Sequence, residues 1–487
     1  MKLLRDILYS VRIVEVHGST NIAVEGLTLD SRKVRPNWMF VAIKGSAMDG
    51  HDFIAKAVEL GADCIVCENI PATLHPHVTY VKVSDPNAAL GVMASNFYDH
   101  PSEQLKLVGV TGTNGKTTTV TLLYSLFKRL GYRTGLLSTV VNRIHNEVVP
   151  STHTTPNAIE LNGLLRDMVD AGCTYCFMEV SSHAVHQKRI SGVHFTGAVF
   201  TNITHDHLDY HGTFDEYLKA KKGFFDQLSD SSFALVNKDD YHGEIMVQNS
   251  KAKLRSYGIK TMCDYKARVI ENQFSGLQLN IDGKDLWTKL IGSFNAYNIL
   301  AVYAVARLLG QDEMAVLTQI STLSPPEGRF QYLKSANDIT AIVDYAHTPD
   351  ALKNVLNTIK DIRTGNEKVI TVVGCGGDRD KGKRPLMAAI ACDLSDKVVI
   401  TSDNPRSEEP EQIIREMMGG VEPDQMKKVM TLTNRREAIR AACMMAEGGD
   451  IILIAGKGHE KYQEIKGEKF HFDDLEEVQE SFKLIGH

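Results

Sequence analysis

Between residues 105 and 455 short, continuous apolar runs alternate with stretches of helical periodicity. Runs without an exposed polar face suit strands covered on both sides. Strands separated by helices pair in parallel, since each helix carries the chain back along the sheet. The first series is LKLVGV (105–110), a helix over about 116–130, TGLLSTV, a helix around 158–170, YCFMEVS and FTGAVFTNI. The second has strands AIVDYA, KVITVVG, KVVITSD, KVMTLT and DIILIAG, with helices DALKNVLNTI, PLMAAIACDL, EQIIREMMGG and REAIRAACMMAEG between them. Ahead of both, MFVAIKG (39–45) and CIVCE (64–68) read as strands and FIAKAVELG (53–61) as a helix, ending at a break, HPSEQ (100–104). A chain of 487 residues has room for about three domains. The expectation is an α/β protein of three domains: 1–102, a central P-loop-type domain with a mostly parallel sheet at 103–327, and a Rossmann-like doubly wound domain at 328–487.

The net charge of −6 argues against a partner bound through a broad basic surface, so no nucleic acid is expected. The N-terminus MKLLRDILYSVRIVEV carries charges through its apolar run, unlike a signal peptide, and no stretch nears the ~20 apolar residues of a membrane span. The chain reads as a soluble, cytoplasmic monomer. Cys64/Cys67 and Cys173/Cys176 have C-x-x-C spacing, which raises zinc. Both pairs lie in apolar runs that read as strands, where residues i and i+3 face opposite ways, so core thiols are the better reading.

VGVTGTNGKTTT (108–119) carries the strongest local chemistry. A strand enters Gly112-Thr113-Asn114-Gly115-Lys116-Thr117-Thr118 and a helix leaves it. Glycines let backbone N–H groups wrap an anion, the lysine neutralises phosphate, and the Thr117 hydroxyl suits Mg²⁺. The strict G-x-x-x-x-G-K-[ST] spacing is not met, because Val110 stands where the first glycine belongs. Glu179, after YCFME, sits where an acid at the sheet's C-terminal edge can hold a metal. In TNITHDHLDYHGTFDEYLKAKKGFF (201–225), His205, Asp206, His207, Asp209 and His211 crowd together. Zinc is the rival there; hard oxygen ligands beside a nucleotide loop favour Mg²⁺ with one imidazole, and His205 and His211 read equally well as solvated or core residues.

GTNGKT, EVSSH, TNITHDHLD, the lysine of LKAKKGFF, GSFNAYNILA (292–301), YAHTPDAL (345–352), GCGGDRDKGKRP (374–385) and GKGHE (456–460) occur in the order found in the Mur ligases, and the resemblance spans essentially the whole chain. The DSR at 30–32 and FVAIKG…DGHDF (40–53) resemble the branch that adds the third residue of the peptide stem to UDP-MurNAc-L-Ala-D-Glu. The resemblance implies an ATP- and Mg²⁺-dependent peptide synthase of peptidoglycan assembly that works through an acyl phosphate. It assigns Lys116 and Thr117 to the triphosphate and its Mg²⁺, Glu179 and His207 to a second Mg²⁺, and Lys221 to the lysine that the family carbamylates. Asn295 and Asn298 fall on the adenine side; Arg329, Asp344 and His347 lie where the last domain meets the nucleotide. Ser31, Thr154, Thr155, Ser181, Gln187 and Arg189 match positions for the UDP-sugar substrate. Arg379, Asp403, Asn404, Pro405, Arg406, Gly456 and Glu460 match positions for the incoming amino acid. Asp403-Asn404-Pro405-Arg406 resembles the motif of members that use meso-diaminopimelate, whose distal carboxylate a guanidinium can hold with two parallel hydrogen bonds. The alternatives are the same ligation with L-lysine and a folyl-polyglutamate- or cyanophycin-type amide ligase.

Overall fold

The computed structural model describes residues 1–45, 48–151 and 153–486; residues 46 and 47 of the 40–53 stretch, and the terminal residue of the 328–487 range, lie outside that description. Three main sheets follow one another along the chain. The first has five strands in the order Ile13–His17, Thr79–Val83, Ala62–Cys67, Trp38–Val41, Gly26–Thr28, parallel except for the 13–17 edge. Of the predicted pieces, 39–45 is a strand only over Trp38–Val41, and the helix is Ile54–Glu59.

The central sheet has eleven strands. Lys106–Thr111 lies at its middle, between Tyr175–Glu179 and Gly197–Phe200, all parallel. The predicted helices are Lys116–Arg129 and Ala158–Asp170. The chain leaves Lys106–Thr111 toward one side and returns to its other side, so the loop after this strand opens at a topological switch point, where open α/β sheets bind ligands. Tyr265–Gln273 lies parallel to Lys253–Gly258, and from it the sheet turns antiparallel through Gly276–Ile281 and Lys284–Thr288, a meander absent from the sequence expectation.

The third sheet has six strands, ordered Gln331–Lys334, Thr340–Asp344, Ile451–Ala455, Val369–Cys375, Lys397–Ser402, Val429–Leu432, parallel except for the first. All five expected strands and the helices Pro349–Ile362, Lys383–Leu394, Pro410–Met418 and Arg435–Met445 are present. Separate apolar cores fill the two faces of this doubly wound layer: Leu352, Leu356, Met387 and Ile413 on one, Ile439, Ala442 and Phe482 on the other.

All eight cysteines are unpaired thiols. Cys64 and Cys67 lie on one strand and enter opposite cores. The second pair departs from expectation: Cys173 precedes the strand Tyr175–Glu179, and with Cys176 it enters the same core. A turn after helix 158–170 resets the alternation there. Burial raises all four thiol pKa values, as suits packing rather than ligation.

Candidate active site

The helix Lys116–Arg129 begins immediately after Gly115, whose φ of +87° is open to glycine without a Cβ penalty. A Cβ there would stand 2.5 Å from Asn298 Oδ1, and one on Gly112 would stand 1.9 Å from Thr201 Oγ1. The 201–204 segment braces the loop. Asn202 Oδ1 accepts the Asn114 N–H at 2.9 Å, Thr201 Oγ1 donates to Asn114 O at 2.6 Å, and Thr113 Oγ1 accepts the Thr204 N–H at 3.0 Å. Lys116 folds back onto its own loop, donating to Gly112 O at 2.7 Å and Thr113 O at 2.8 Å, and burial lowers its pKa. Those carbonyls are the partners a bound phosphate would replace. Thr117 and Thr118 are buried in the first turn.

Glu179 ends its strand beside this loop. Its Oε1 accepts the Thr139 N–H at 2.8 Å, while Oε2 is buried with no hydrogen-bond partner among the described residues. A carboxylate oxygen buried without a partner calls for a cation or a donor. His207, held at φ +55°, pairs with Asp206 across 3.4 Å. Burial lowers its pKa against the pull of Asp206, which favours the neutral imidazole that can ligate a metal. Among the described residues no three His, Cys, Asp or Glu side chains converge to hold a metal. Mg²⁺ needs only one or two protein ligands, because phosphates and water complete its shell. His211 turns away to share a hydrogen bond with Ser182 Oγ, and His205 faces Asp380 across 3.6 Å.

Lys221 is buried in the helix Phe214–Asp226, not solvated as its charge-rich neighbourhood allowed. Its ammonium donates to Gly112 O at 2.8 Å and lies 4.7 Å from the centre of the Tyr217 ring. Burial, and secondarily the charge of Lys116, depress its pKa far below that of an ordinary lysine.

The last domain closes over this site. Arg329 donates to Thr117 Oγ1 at 3.1 Å and stacks on Tyr345 at 4.6 Å; Asn114 Nδ2 donates to Asp350 Oδ2 at 2.9 Å. Asp344 accepts the Phe330 N–H at 2.7 Å, and burial pushes its pKa up to about 6 against the nearby Arg329. His347 donates from Nδ1 to Tyr345 O, and burial lowers its pKa to about 4. Asn298 donates to Asn295 Oδ1, and Asn295 lines a cavity of about 190 Å³ with Ile291, Pro325, Phe330 and Tyr332. This slot suits a flat aromatic base. Its aromatic walls went unread because GRFQY carries no spacing rule.

On the opposite flank, Thr155 Oγ1 donates to Glu179 O and accepts the Ser181 N–H. Arg189 donates to Thr155 O at 2.7 Å and grips Gln187 Oε1 at 2.9 and 2.6 Å. Thr154 joins through Thr139. Tyr210, missed by the sequence reading, binds Gln187. Ser31 is buried in a short turn of the first domain, and no hydrogen bond among the described residues ties it to this cluster.

In the third domain, loops at the C-terminal ends of three neighbouring strands meet. Asn404 donates to Glu460 Oε2 at 2.8 Å; Asn404 Oδ1 accepts from Lys457 Nζ at 3.1 Å and from the Glu464 N–H at 2.9 Å. Gly456 is required against Asp403, since a Cβ would stand 2.6 Å from its Oδ2. Arg406, at φ +53° after Pro405, donates to Gly377 O at 2.7 Å; Arg379 is exposed on the adjoining loop. Burial raises the pKa of Glu460, with Asp403 adding to the shift and Lys457 opposing it. Lys457 is fully buried between Asp403, Asn404 and Glu460, and was not picked out beforehand. The signal available was a lysine between two glycines in GKGHE.

A phosphate loop, a buried carboxylate with one oxygen unpaired among the described residues, a buried lysine and a closing third domain define an ATP-using ligase of three domains, and comparison with known proteins gives its family. The models named Mur ligase family, catalytic domain (residues 23–98), Mur ligase middle domain (110–306) and Mur ligase, glutamate ligase domain (328–458) all match, and the chain belongs to the Mur ligase family. It is 57% identical to the UDP-N-acetylmuramoyl-L-alanyl-D-glutamate–2,6-diaminopimelate ligase of Cytophaga hutchinsonii, covering 99% of each chain. It is 53% identical to the enzyme of that name from Bacteroides fragilis, again over 99% of each. A solved structure of a ligase with that name aligns with a TM-score of 0.69 and 32% identity, covering 100% of this chain and 99% of the other. The ADP complex of Thermotoga maritima MurF shares the fold at 20% identity and a TM-score of 0.62, over 95% of this chain and 97% of that one.

Proposed function

We propose that this chain joins meso-diaminopimelate to the D-glutamyl carboxylate of UDP-MurNAc-L-Ala-D-Glu with cleavage of ATP, in peptidoglycan precursor synthesis. The observation that carries the amino-acid assignment is the Asn404–Lys457–Glu460 network with Arg406 beside it. It offers a guanidinium for a distal carboxylate and a carboxylate for a distal ammonium, and so fits diaminopimelate better than lysine. Full-length identity to ligases of that name supports the same substrate pair. Soluble nucleotide substrates and eight unpaired thiols support a cytoplasmic reaction.

A carboxylate is a weak electrophile. Its oxygen attacks the γ-phosphorus, ADP departs, and an acyl phosphate forms. The neutral amine of diaminopimelate then adds to the carbonyl, and phosphate leaves from the tetrahedral intermediate. Lys116 and the loop N–H groups hold the transferring phosphoryl group, a task of positioning and charge neutralisation. Thr117, Glu179 and His207 are suited to hold Mg²⁺, which neutralises charge on the phosphate oxygens. Lys221 is deprotonated more readily than an ordinary lysine, so its amine can add CO₂, lose a proton and become a carbamate. Phe330, Tyr332 and Asn295 seat adenine, with Arg329, Asp344 and His347 closing over it. Thr154, Thr155, Ser181, Gln187 and Arg189 take the UDP-sugar peptide, with Ser31 contributed by the first domain. The three units along the chain, 1–102, 103–327 and 328–487, share the substrates: the first adds Ser31 to the sugar side, the central one carries the phosphate loop, and the last adds the amino-acid pocket and part of the nucleotide site. Closure excludes water from the acyl phosphate.

Phosphate release from ATP, measured with UDP-MurNAc-L-Ala-D-Glu and a panel of amino acids, tests this reading. Release that depends on both the nucleotide sugar and diaminopimelate is expected. Release with glutamate on a folate acceptor, or with no amine at all, would replace the reading with another.

A further inference from the structure

Resting on the proposed diaminopimelate pocket, we infer that Arg384 and Glu408 are positioning residues that set the spacing of the two loops bearing Arg379 and Arg406. Arg384 is fully buried, and it pairs with two carboxylates at once. Its Nη1 donates to Glu408 Oε2 at 3.0 Å and Glu416 Oε2 at 2.6 Å; its Nη2 donates to Glu408 Oε1 at 2.9 Å and Gly376 O at 3.2 Å. One guanidinium therefore ties three pieces together: the loop after Val369–Cys375, the loop after Lys397–Ser402, and the helix Pro410–Met418. Glu408 passes the constraint on, because its Oε1 also accepts the Asp378 N–H at 2.7 Å. Further stitches run between the same two loops. Ser407 donates to Asp378 from its hydroxyl at 2.6 Å and its N–H at 3.2 Å, and Arg406 Nη1 donates to Gly377 O. The loops touch so closely that a Cβ on Gly377 would stand 1.9 Å from Pro405 O.

Arg379 follows Asp378 by one residue, and Arg406 precedes Ser407 by one. Any change in the Arg384–Glu408 fork shifts one arginine against the other. A carboxylate gripped from two sides is sensitive to such shifts, since bidentate pairing needs both donors in register. Among the described residues Arg384's hydrogen bonds reach none of the residues assigned to ATP, and its fork lies on the amino-acid side of the third domain. Neither arm of the fork is solvated enough for a loose surface pair: Glu408 is only 16% exposed. Lysine at 384 cannot reproduce a planar fork reaching Glu408, Glu416 and Gly376 at once.

The test is steady-state kinetics of Glu408→Gln and Ser407→Ala beside wild type and Arg406→Ala, with Arg384→Lys added if it folds. Glu408→Gln keeps the shape and one acceptor, and Ser407 lies at the surface, so these variants keep the question answerable should Arg384 prove essential for folding. For Glu408→Gln we expect the KM for meso-diaminopimelate to rise at least tenfold. The KM values for ATP and for the nucleotide sugar should stay within twofold, and the preference for diaminopimelate over L-lysine should narrow. Ser407→Ala should shift the same constant by a smaller factor. A merely structural role would lower the active fraction and leave all three KM values alone; that result overturns the inference. So does a parallel rise in the KM for ATP. If Arg406→Ala itself leaves the diaminopimelate KM unchanged, the pocket assignment fails and this inference falls with it. If Arg406→Ala raises the KM and Glu408→Gln does not, the positioning role alone is refuted.

Discussion

Replacing Lys221 with methionine should make the unliganded protein more stable and the enzyme nearly inactive. The side chain is buried beside Lys116, with a backbone carbonyl and the Tyr217 ring as partners and no carboxylate paired with it among the described residues. Burial depresses its pKa, so the folded state binds the proton less tightly than the unfolded chain. The sign follows: the lysine penalises folding fully below its folded pKa, and the penalty fades only as pH rises toward the unfolded value of ~10.4. At neutral pH methionine removes that penalty. It keeps the unbranched stem and volume but leaves Gly112 O without this donor, a loss of ~1 kcal/mol. Relief of an unpaired buried charge is worth several kcal/mol before relaxation. The balance is a gain of ~1–3 kcal/mol, or ~2–12 °C in the melting temperature of a domain this size. The assay is thermal unfolding at pH 7 without nucleotide or Mg²⁺ and with CO₂ removed, run with a phosphate-release assay. Turnover should fall ~10²-fold or more. A variant that melts below wild type, or one that retains full turnover, would refute the reasoning.

Lys116→Ala should fold normally and lose ~10² or more in turnover, because the loop lysine acts on the transferring phosphoryl group; circular dichroism and phosphate release check both halves. Gly115→Ala places a Cβ 2.5 Å from Asn298 Oδ1 at φ +87°, and should raise the KM for ATP at least ~10-fold by displacing the loop from bound phosphate. Lys221→Ala should recover part of its activity with added short carboxylates, which restore an anion where a carbamate would stand; no rescue at any concentration counts against the carbamate. Asp344, raised to about 6, favours folding at acid pH and gives up that advantage as pH climbs through 6. Asp344→Asn should therefore flatten the fall in melting temperature between about pH 4 and 7, by up to ~3 kcal/mol of stability.

Both series of parallel strands were legible because buried strands need unbroken apolar runs, and LKLVGV or DIILIAG admits little else at that length. The meander of residues 265–288 was not: its exposed face carries charge at Lys266, Arg268 and Glu271, and the remaining alternation is weak over such short pieces. The phosphate loop was readable from Gly115 and Lys116 because backbone wrapping of an anion leaves a local signature. Lys457, Arg384 and Tyr345 were not singled out, since each takes its meaning from partners far away in the chain. Arg384 sits in a basic run, KGKRP, that reads as solvated, whereas the fold buries it against Glu408 and Glu416. The cysteines teach the same lesson in reverse, because Cys173 lies in a turn that apolar content alone did not reveal.

The most direct measurement labels the D-glutamyl carboxylate of UDP-MurNAc-L-Ala-D-Glu with ¹⁸O and follows the label by mass spectrometry during turnover with ATP and meso-diaminopimelate. The acyl-phosphate account predicts one ¹⁸O in each phosphate released, one equivalent of tripeptide formed per phosphate, and almost none of either when L-lysine replaces diaminopimelate. Phosphate free of label, or equal turnover with L-lysine, would contradict it.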